Sequence, residues 1–231
     1  MTRTIETPVY RLYRDMLNYN HILICGTSGC GKSTLIDGLL HAAFCRNPAP
    51  DFYLIDLKKV DMVQYKGVRL VKQRVTEHDD AIEVLENIIK IMEARYSVME
   101  RQCIKLTTEN DIYVVIDEVA DLIATHKKQV MPLLQRIGQK GRAAKIHLIL
   151  ATQVLLCGIL ATEVRGNFDC IVALRVTTAN QSRVILGESG AEKLPKHGTA
   201  YVIDPDNGIS KWRVPKVDDI ELQKMIDFWK Y

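Results

Sequence analysis

Eight consecutive residues, Gly26-Thr-Ser-Gly-Cys-Gly31-Lys32-Ser33, carry a spacing suited to one task, the cradling of a polyphosphate. Glycines at 26, 29 and 31 let the backbone curl until successive N–H groups point inward at phosphate oxygens. Lys32 can neutralise the β- and γ-phosphates, and the Ser33 hydroxyl can ligate Mg²⁺. The run follows an apolar, strand-like segment, His21–Cys25, and opens a helical pattern through Leu35, Leu39, Leu40 and Ala43. That strand-to-helix context separates a phosphate loop from a chance glycine-rich turn. The helix start adds the positive end of its dipole. The expected cofactors are ATP and Mg²⁺, with Gly26, Thr27, Ser28, Gly29, Cys30, Gly31, Lys32, Ser33 and Thr34 around the phosphates.

A second constellation is Tyr113-Val-Val-Ile-Asp117-Glu118, an apolar strand ending in two carboxylates. A buried parallel strand delivers its C-terminal end to the ligand crevice. Asp117 there is expected to hold Mg²⁺, mostly through water. Glu118 is expected to orient and deprotonate the attacking water, the role that separates hydrolysis from nucleotide binding. A third apolar run, Ile149-Leu-Ala-Thr152, ends at Gln153, whose amide could sense a γ-phosphate. On the residues alone, Gln153 reads equally as an ordinary loop residue.

Stepping out from these residues, short apolar runs alternate with longer segments of helical period, the pattern of an α/β fold with a largely parallel sheet flanked by helices. Strands are expected at His21–Cys25, Phe52–Ile55, Val68–Val71, Tyr113–Ile116, Ile146–Ala151, Cys170–Val176 and Thr199–Ile203, with a short one at Lys211–Val214. Ile82, Leu85, Ile89, Met92, Tyr96, Met99 and Cys103 form one stripe on a helix over Asp79–Ile104. The segmentation is a short N-terminal segment (1–20), a single ATPase domain (21–216) and a C-terminal helix (217–231).

With 231 residues and 47% hydrophobic content, one substantial core can be buried. The net charge of +3 gives no strong nucleic-acid signal, and the local clusters at Lys58–Arg74 and Arg136–Lys145 read equally as solvated faces. Six cysteines without a CxxC pair speak against zinc and against a disulfide framework, so Cys25 and Cys30 read as reduced thiols. The charged N-terminus lacks a signal-peptide core. The longest uncharged run, Leu148–Thr162, falls short of the ~20 apolar residues of a membrane span. A soluble, cytoplasmic protein is expected.

Taken together, the blocks resemble the motor domain of the FtsK/SpoIIIE family, within the HerA–FtsK group of P-loop ATPases. HILICGTSGCGKST resembles that family's phosphate loop. FYLIDLKKVDMVQYKG is similar to its second-strand block, matching at Asp56, Lys58, Tyr65 and Gly67. MEARYSVM and IDEVADL resemble its long-helix and acidic-strand blocks. LLQRIGQKGRAAKIHLILATQ, Leu133–Gln153, is the closest match. The likeness continues through Asn167, Ser182-Arg183 and Gly190-Ala191-Glu192.

The resemblance implies a RecA-like core that assembles as a homo-oligomeric ring, a hexamer, with ATP at subunit interfaces and double-stranded DNA threaded through the centre. Gln153 then becomes a γ-phosphate sensor. Arg142 falls where the family's trans-acting arginine finger is expected, with Arg136 as fallback. Arg165 and Arg183 become pore or interface candidates, and Lys127-Lys128 matches a lysine pair.

The departures concern DNA grip. Val154 replaces an arginine, the segment 154–160 (VLLCGIL) is apolar where the family is polar, and Ala179 replaces a lysine. Duplex binding rests mainly on phosphate neutralisation. The implied function is an ATP-driven DNA translocase. The chain lacks the family's membrane-spanning and winged-helix partners, so a stripped motor of a mobile element is expected. The alternatives are the same motor in conjugative transfer, virion packaging or protein export of the type VII kind, and a nucleotide-switched module without turnover. Glu118 and Gln153 speak against the last.

Overall fold

The computed structural model describes residues 8–46, 49–153 and 165–230. Eight strands form one sheet, β1 (His21–Cys25), β2 (Asp51–Ile55), β3 (Val71–Val75), β4 (Ile112–Ile116), β5 (Ile146–Thr152), β6 (Cys170–Ala173), β7 (Thr199–Asp204) and β8 (Gly208–Arg213). Their order is β3-β2-β4-β5-β1-β6-β7-β8. The pairs from β3 across to β6 are parallel, whereas β6–β7 and β7–β8 are antiparallel. The expected α/β class with a mostly parallel sheet is therefore the observed one.

Strand periodicity divides the core. Leu23, Val114, Ile116, Leu148 and Leu150 point to one face, where α3 (His78–Gln102) and α4 (Val119–Lys140) cover them. Ile22, Ile24, Tyr113, Val115, Ile149 and Ala151 point to the other, beneath α1 (Pro8–Met16), α2 (Lys32–Phe44) and α6 (Asp219–Lys230). A one-residue slip of β4 or β5 would exchange these two sets, so burial on both faces fixes the register that aligns the strand ends. Among those ends, Cys25 lies opposite Thr152, and Ile116 opposite Leu150.

Several boundaries depart from the sequence reading. The third strand was expected at Val68–Val71 but runs Val71–Val75. Val68 and Leu70 are buried before the strand begins, and the strand itself is the polar edge of the sheet. Charged, polar residues such as Lys72 and Gln73 suit an edge that must not template pairing. The sixth strand stops at Ala173 rather than Val176. The segment 1–20 contains α1, which opens on a proline, a residue at home in a first helical turn. Cys25 is disulfide-bonded, contrary to the reduced thiol expected there, while Cys30 is free and buried.

α1 packs on α2 at Gly38, where an added Cβ would lie 2.2 Å from Cζ of the Tyr13 ring. Tyr13 is fully buried and its hydroxyl donates to the carbonyl of Pro215, which ties α1 to the segment before α6. Among the described residues, no helix is long and apolar enough to cross a membrane.

Candidate nucleotide site

The six residues between β1 and α2 form the phosphate loop. Gly31 has φ 104° and ψ 21°, a left-handed conformation that a Cβ would strain, and it turns the chain into the first helical residue, Lys32. The loop is anchored at its base. The Gly26 N–H donates to Thr152 O (3.3 Å), and the N–H and hydroxyl of Thr27 donate to Arg175 O (3.2 and 3.1 Å). Lys32 is only 8% exposed, and its ammonium donates to the carbonyls of Gly26 (2.9 Å) and Thr27 (3.1 Å). Burial pulls its pKa down, with Cys30 and Glu118 acting in the opposite sense. A cation is thereby arched over a loop whose tip, Ser28 and Gly29, is open to solvent.

The carboxylates arrive from β4, two strands away from β1. Asp117 is 3% exposed and accepts from the Leu57 N–H at 3.3 Å through Oδ1, while Oδ2 is buried without a partner. Burial, reinforced by nearby Asp56, pushes its pKa up to about 7. An orphaned buried carboxylate oxygen is a group that a cation would satisfy. The donors at hand, the Asp117 carboxylate and the Ser33 hydroxyl, are hard oxygens and fit Mg²⁺. Among the described residues, no cluster of three or more His, Cys, Asp or Glu could hold a metal alone.

Glu118, 1% exposed, is gripped on both oxygens: Oε1 accepts from the Gln153 N–H (3.0 Å), and Oε2 lies 3.3 Å from Lys58 Nζ. Gln153 therefore reaches Glu118 through its main chain, and its side chain is exposed.

One carboxylate that sequence reasoning did not single out, Asp61, completes the site. Ser33 Oγ donates to Asp61 Oδ1 at 2.7 Å, and Lys58 Nζ lies 3.9 Å from Asp61 Oδ2. Asp56, fully buried, accepts from the N–H groups of Asp61 (3.3 Å) and Met62 (3.1 Å) and pairs with Arg74. The available signal was the D-x-K-x-x-D spacing at Asp56, Lys58 and Asp61, directly after an apolar strand.

The remaining expected residues lie elsewhere. Arg142 is exposed and lines a cleft of about 240 Å³ with Asn20, His21, Gly138, Asn167 and Asp169. This is the His21 end of β1, opposite the phosphate loop, and each intervening residue adds ~3.3 Å. Arg136 pairs with Glu93 at 2.7 Å. Arg183 is exposed on α5 (Ala179–Leu186) and bonds Asn180. Ala179 opens that helix behind a Thr178–Gln181 capping box. Lys127 and Lys128 are exposed on α4. Val154 and the run 154–160 fall outside the described residues, as does the Arg165 side chain.

A glycine-rich loop between the central strand and its helix, with an acidic pair at the end of a nearby parallel strand, defines a P-loop NTPase core of the RecA-like kind. Within that class the chain belongs to the FtsK/SpoIIIE family, whose model matches residues 2–108 and 100–156. It is similar to the DNA translocase FtsK of Helicobacter pylori (strain J99), with 33% identity over 234 residues, 94% of this chain and 28% of the relative. The chain thus spans little more than a quarter of that relative's length. Among solved structures, the pCW3 conjugation coupling protein TcpA with ATPγS superposes with a TM-score of 0.79 at 20% identity, over 92% of this chain and 66% of TcpA. The cytoplasmic domain of the Thermomonospora curvata type VII secretion ATPase EccC gives 0.75 at 23% identity, over 91% of this chain and 28% of EccC. At these identities the likeness concerns the fold.

Proposed function

We propose that this chain is the motor of an ATP-driven translocase of double-stranded DNA, working as a homo-oligomeric, hexameric ring in the cytoplasm, where ATP is available. The single observation that carries the hydrolytic part is Glu118, a buried carboxylate held one residue beyond Asp117 at the strand end facing the phosphate loop. Its position supports a general base for the attacking water. In this reading the loop N–H groups from Gly26 to Thr34 and the Lys32 ammonium bind and orient the phosphates. Ser33 and Asp117 hold Mg²⁺, which when bound neutralises charge on the β- and γ-oxygens. Gln153 places Glu118 through its N–H and reports the γ-phosphate through its amide.

Arg142 serves the neighbouring subunit. It lies at the far end of β1 from its own phosphate loop, so its fixed charge is of use only in trans. Arg136 is the weaker candidate because Glu93 already engages it. The DNA cargo rests on the similarity to the FtsK translocases over nearly all of this chain.

A second reading keeps the motor and changes its setting to conjugative transfer, virion packaging or protein export. Ala179 in place of a lysine, together with Val154 and its apolar neighbours, supports a contact other than a phosphate backbone. The test is steady-state ATP turnover without nucleic acid, with linear duplex and with single strands, at low and moderate salt, with Lys32→Ala as the inactive control. Stimulation by duplex that fades with salt is expected. Brisk turnover indifferent to every nucleic acid would overturn the DNA reading and point to a protein cargo.

A further inference from the structure

The phosphate loop and the catalytic strand are joined by a chain of side chains that the proposed chemistry does not by itself require. It runs from Ser33 Oγ to Asp61 Oδ1 (2.7 Å), from Asp61 Oδ2 to Lys58 Nζ (3.9 Å), and from Lys58 Nζ to Glu118 Oε2 (3.3 Å). A serine hydroxyl has one hydrogen and two lone pairs. Its hydrogen can go to a cation's side of the site, to a carbonyl one turn back on the helix, or to an outside acceptor. Donating that hydrogen to an acceptor away from the cation's side leaves both lone pairs free for a metal. Asp61 is that acceptor, and it is well fixed. Its own N–H is held by fully buried Asp56, which Arg74 and the Met62 N–H also grip.

We propose that Asp61 is a positioning residue for the cation. By taking the Ser33 hydrogen it aims the Ser33 oxygen at Mg²⁺, and Lys58 ties this carboxylate to Glu118 so that the metal ligand and the base are set by one framework. The inference rests on the Mg²⁺–ATP reading of the site. Outer partners of this kind are worth ~10–100-fold in metal affinity.

The test uses Mn²⁺ as a spectroscopic stand-in, its binding to the protein–ATPγS complex followed by electron paramagnetic resonance and displaced by Mg²⁺. Asp61→Ala is expected to weaken cation binding ~10–100-fold, with cation-free nucleotide affinity unchanged, which also shows that the variant is folded. Asp61→Asn should recover most of the loss, because an amide oxygen still accepts the Ser33 hydrogen. Wild-type cation affinity in Asp61→Ala would overturn the proposal. So would Asp61→Asn behaving as poorly as Asp61→Ala, since charge and not orientation would then be the cause. Ser33→Ala separates the two levels: if it too binds the cation like wild type, the Mg²⁺ assignment of Ser33 itself fails.

Discussion

At the residue scale the site is defined by two adjacent acids with different surroundings. Glu118 is neutralised and held by Lys58 and the Gln153 N–H, whereas Asp117 has one oxygen without a partner and a pKa pushed up to about 7 by burial. An acid that ionises at 3.8 when unfolded and near 7 when folded keeps its proton longer in the native state, so its contribution to stability falls as pH rises across that window. Asp117→Asn should therefore abolish turnover yet raise the melting temperature above pH 7, by about 1–3 kcal/mol in stability. A melting curve at pH 8 checks this, and a variant less stable than wild type would contradict it. The strand-to-helix setting of the phosphate loop and the place of Asp117 and Glu118 at the end of β4 were legible in the sequence, because both lie within short local spacings. Asp61 was not, because its link to Ser33 arises only when the loop after β2 folds back across 28 residues of chain.

At the element scale, β1, β2, β4 and β5 were read to within a residue, since an apolar run between polar breaks has one place to go. The edge strand β3 was displaced toward the apolar residues Val68 and Leu70, which are buried in the turn before it. α1 was missed although its residues are amphipathic, because a helix of nine residues is too short to stand without its packing on α2. That packing yields a test at Gly38. Gly38→Val would force a Cβ into the Tyr13 ring, and overpacking of this kind costs about 1–3 kcal/mol. Melting should fall by several degrees and recover partly when Tyr13→Ala is added; additive losses would deny the contact.

β1 carries a second element-level device. His21 is 1% exposed, and its Nδ1 accepts the Leu148 N–H at 3.0 Å. Protonation would set two donors against each other, and burial with the neighbouring His147 lowers the His21 pKa to about 3. Between that value and the ordinary 6.5 the unfolded chain binds the extra proton, so stability is full above 6.5 and is lost as pH falls. His21→Gln should flatten the acid side of a melting-temperature profile between pH 6.5 and 4. An unchanged slope would assign the acid sensitivity to other groups.

At the scale of the whole molecule, the phosphate loop and Arg142 lie at opposite ends of the sheet. The phosphate loop, Asp117 and Glu118 gather at one end of the parallel strands, and Arg142 is displayed at the other. A ring in which the Arg142 end of one subunit meets the phosphate-loop end of the next would bring the two together, in keeping with the trans role proposed for Arg142. The family and the α/β class were legible in the sequence because its blocks run through nearly the entire chain. The cargo was less so, since Val154 and Ala179, the departures that bear on it, are uncharged residues that name no partner of their own.

The measurement that bears most directly on the central claim is ATP binding and ATP turnover in one preparation, wild type beside Glu118→Gln. Both proteins should bind ATP with similar affinity, and the substitution should reduce turnover by ~10²–10⁴-fold, the worth of a positioned general base. Turnover in Glu118→Gln at the wild-type rate would contradict the claim and remove the buried glutamate from the mechanism.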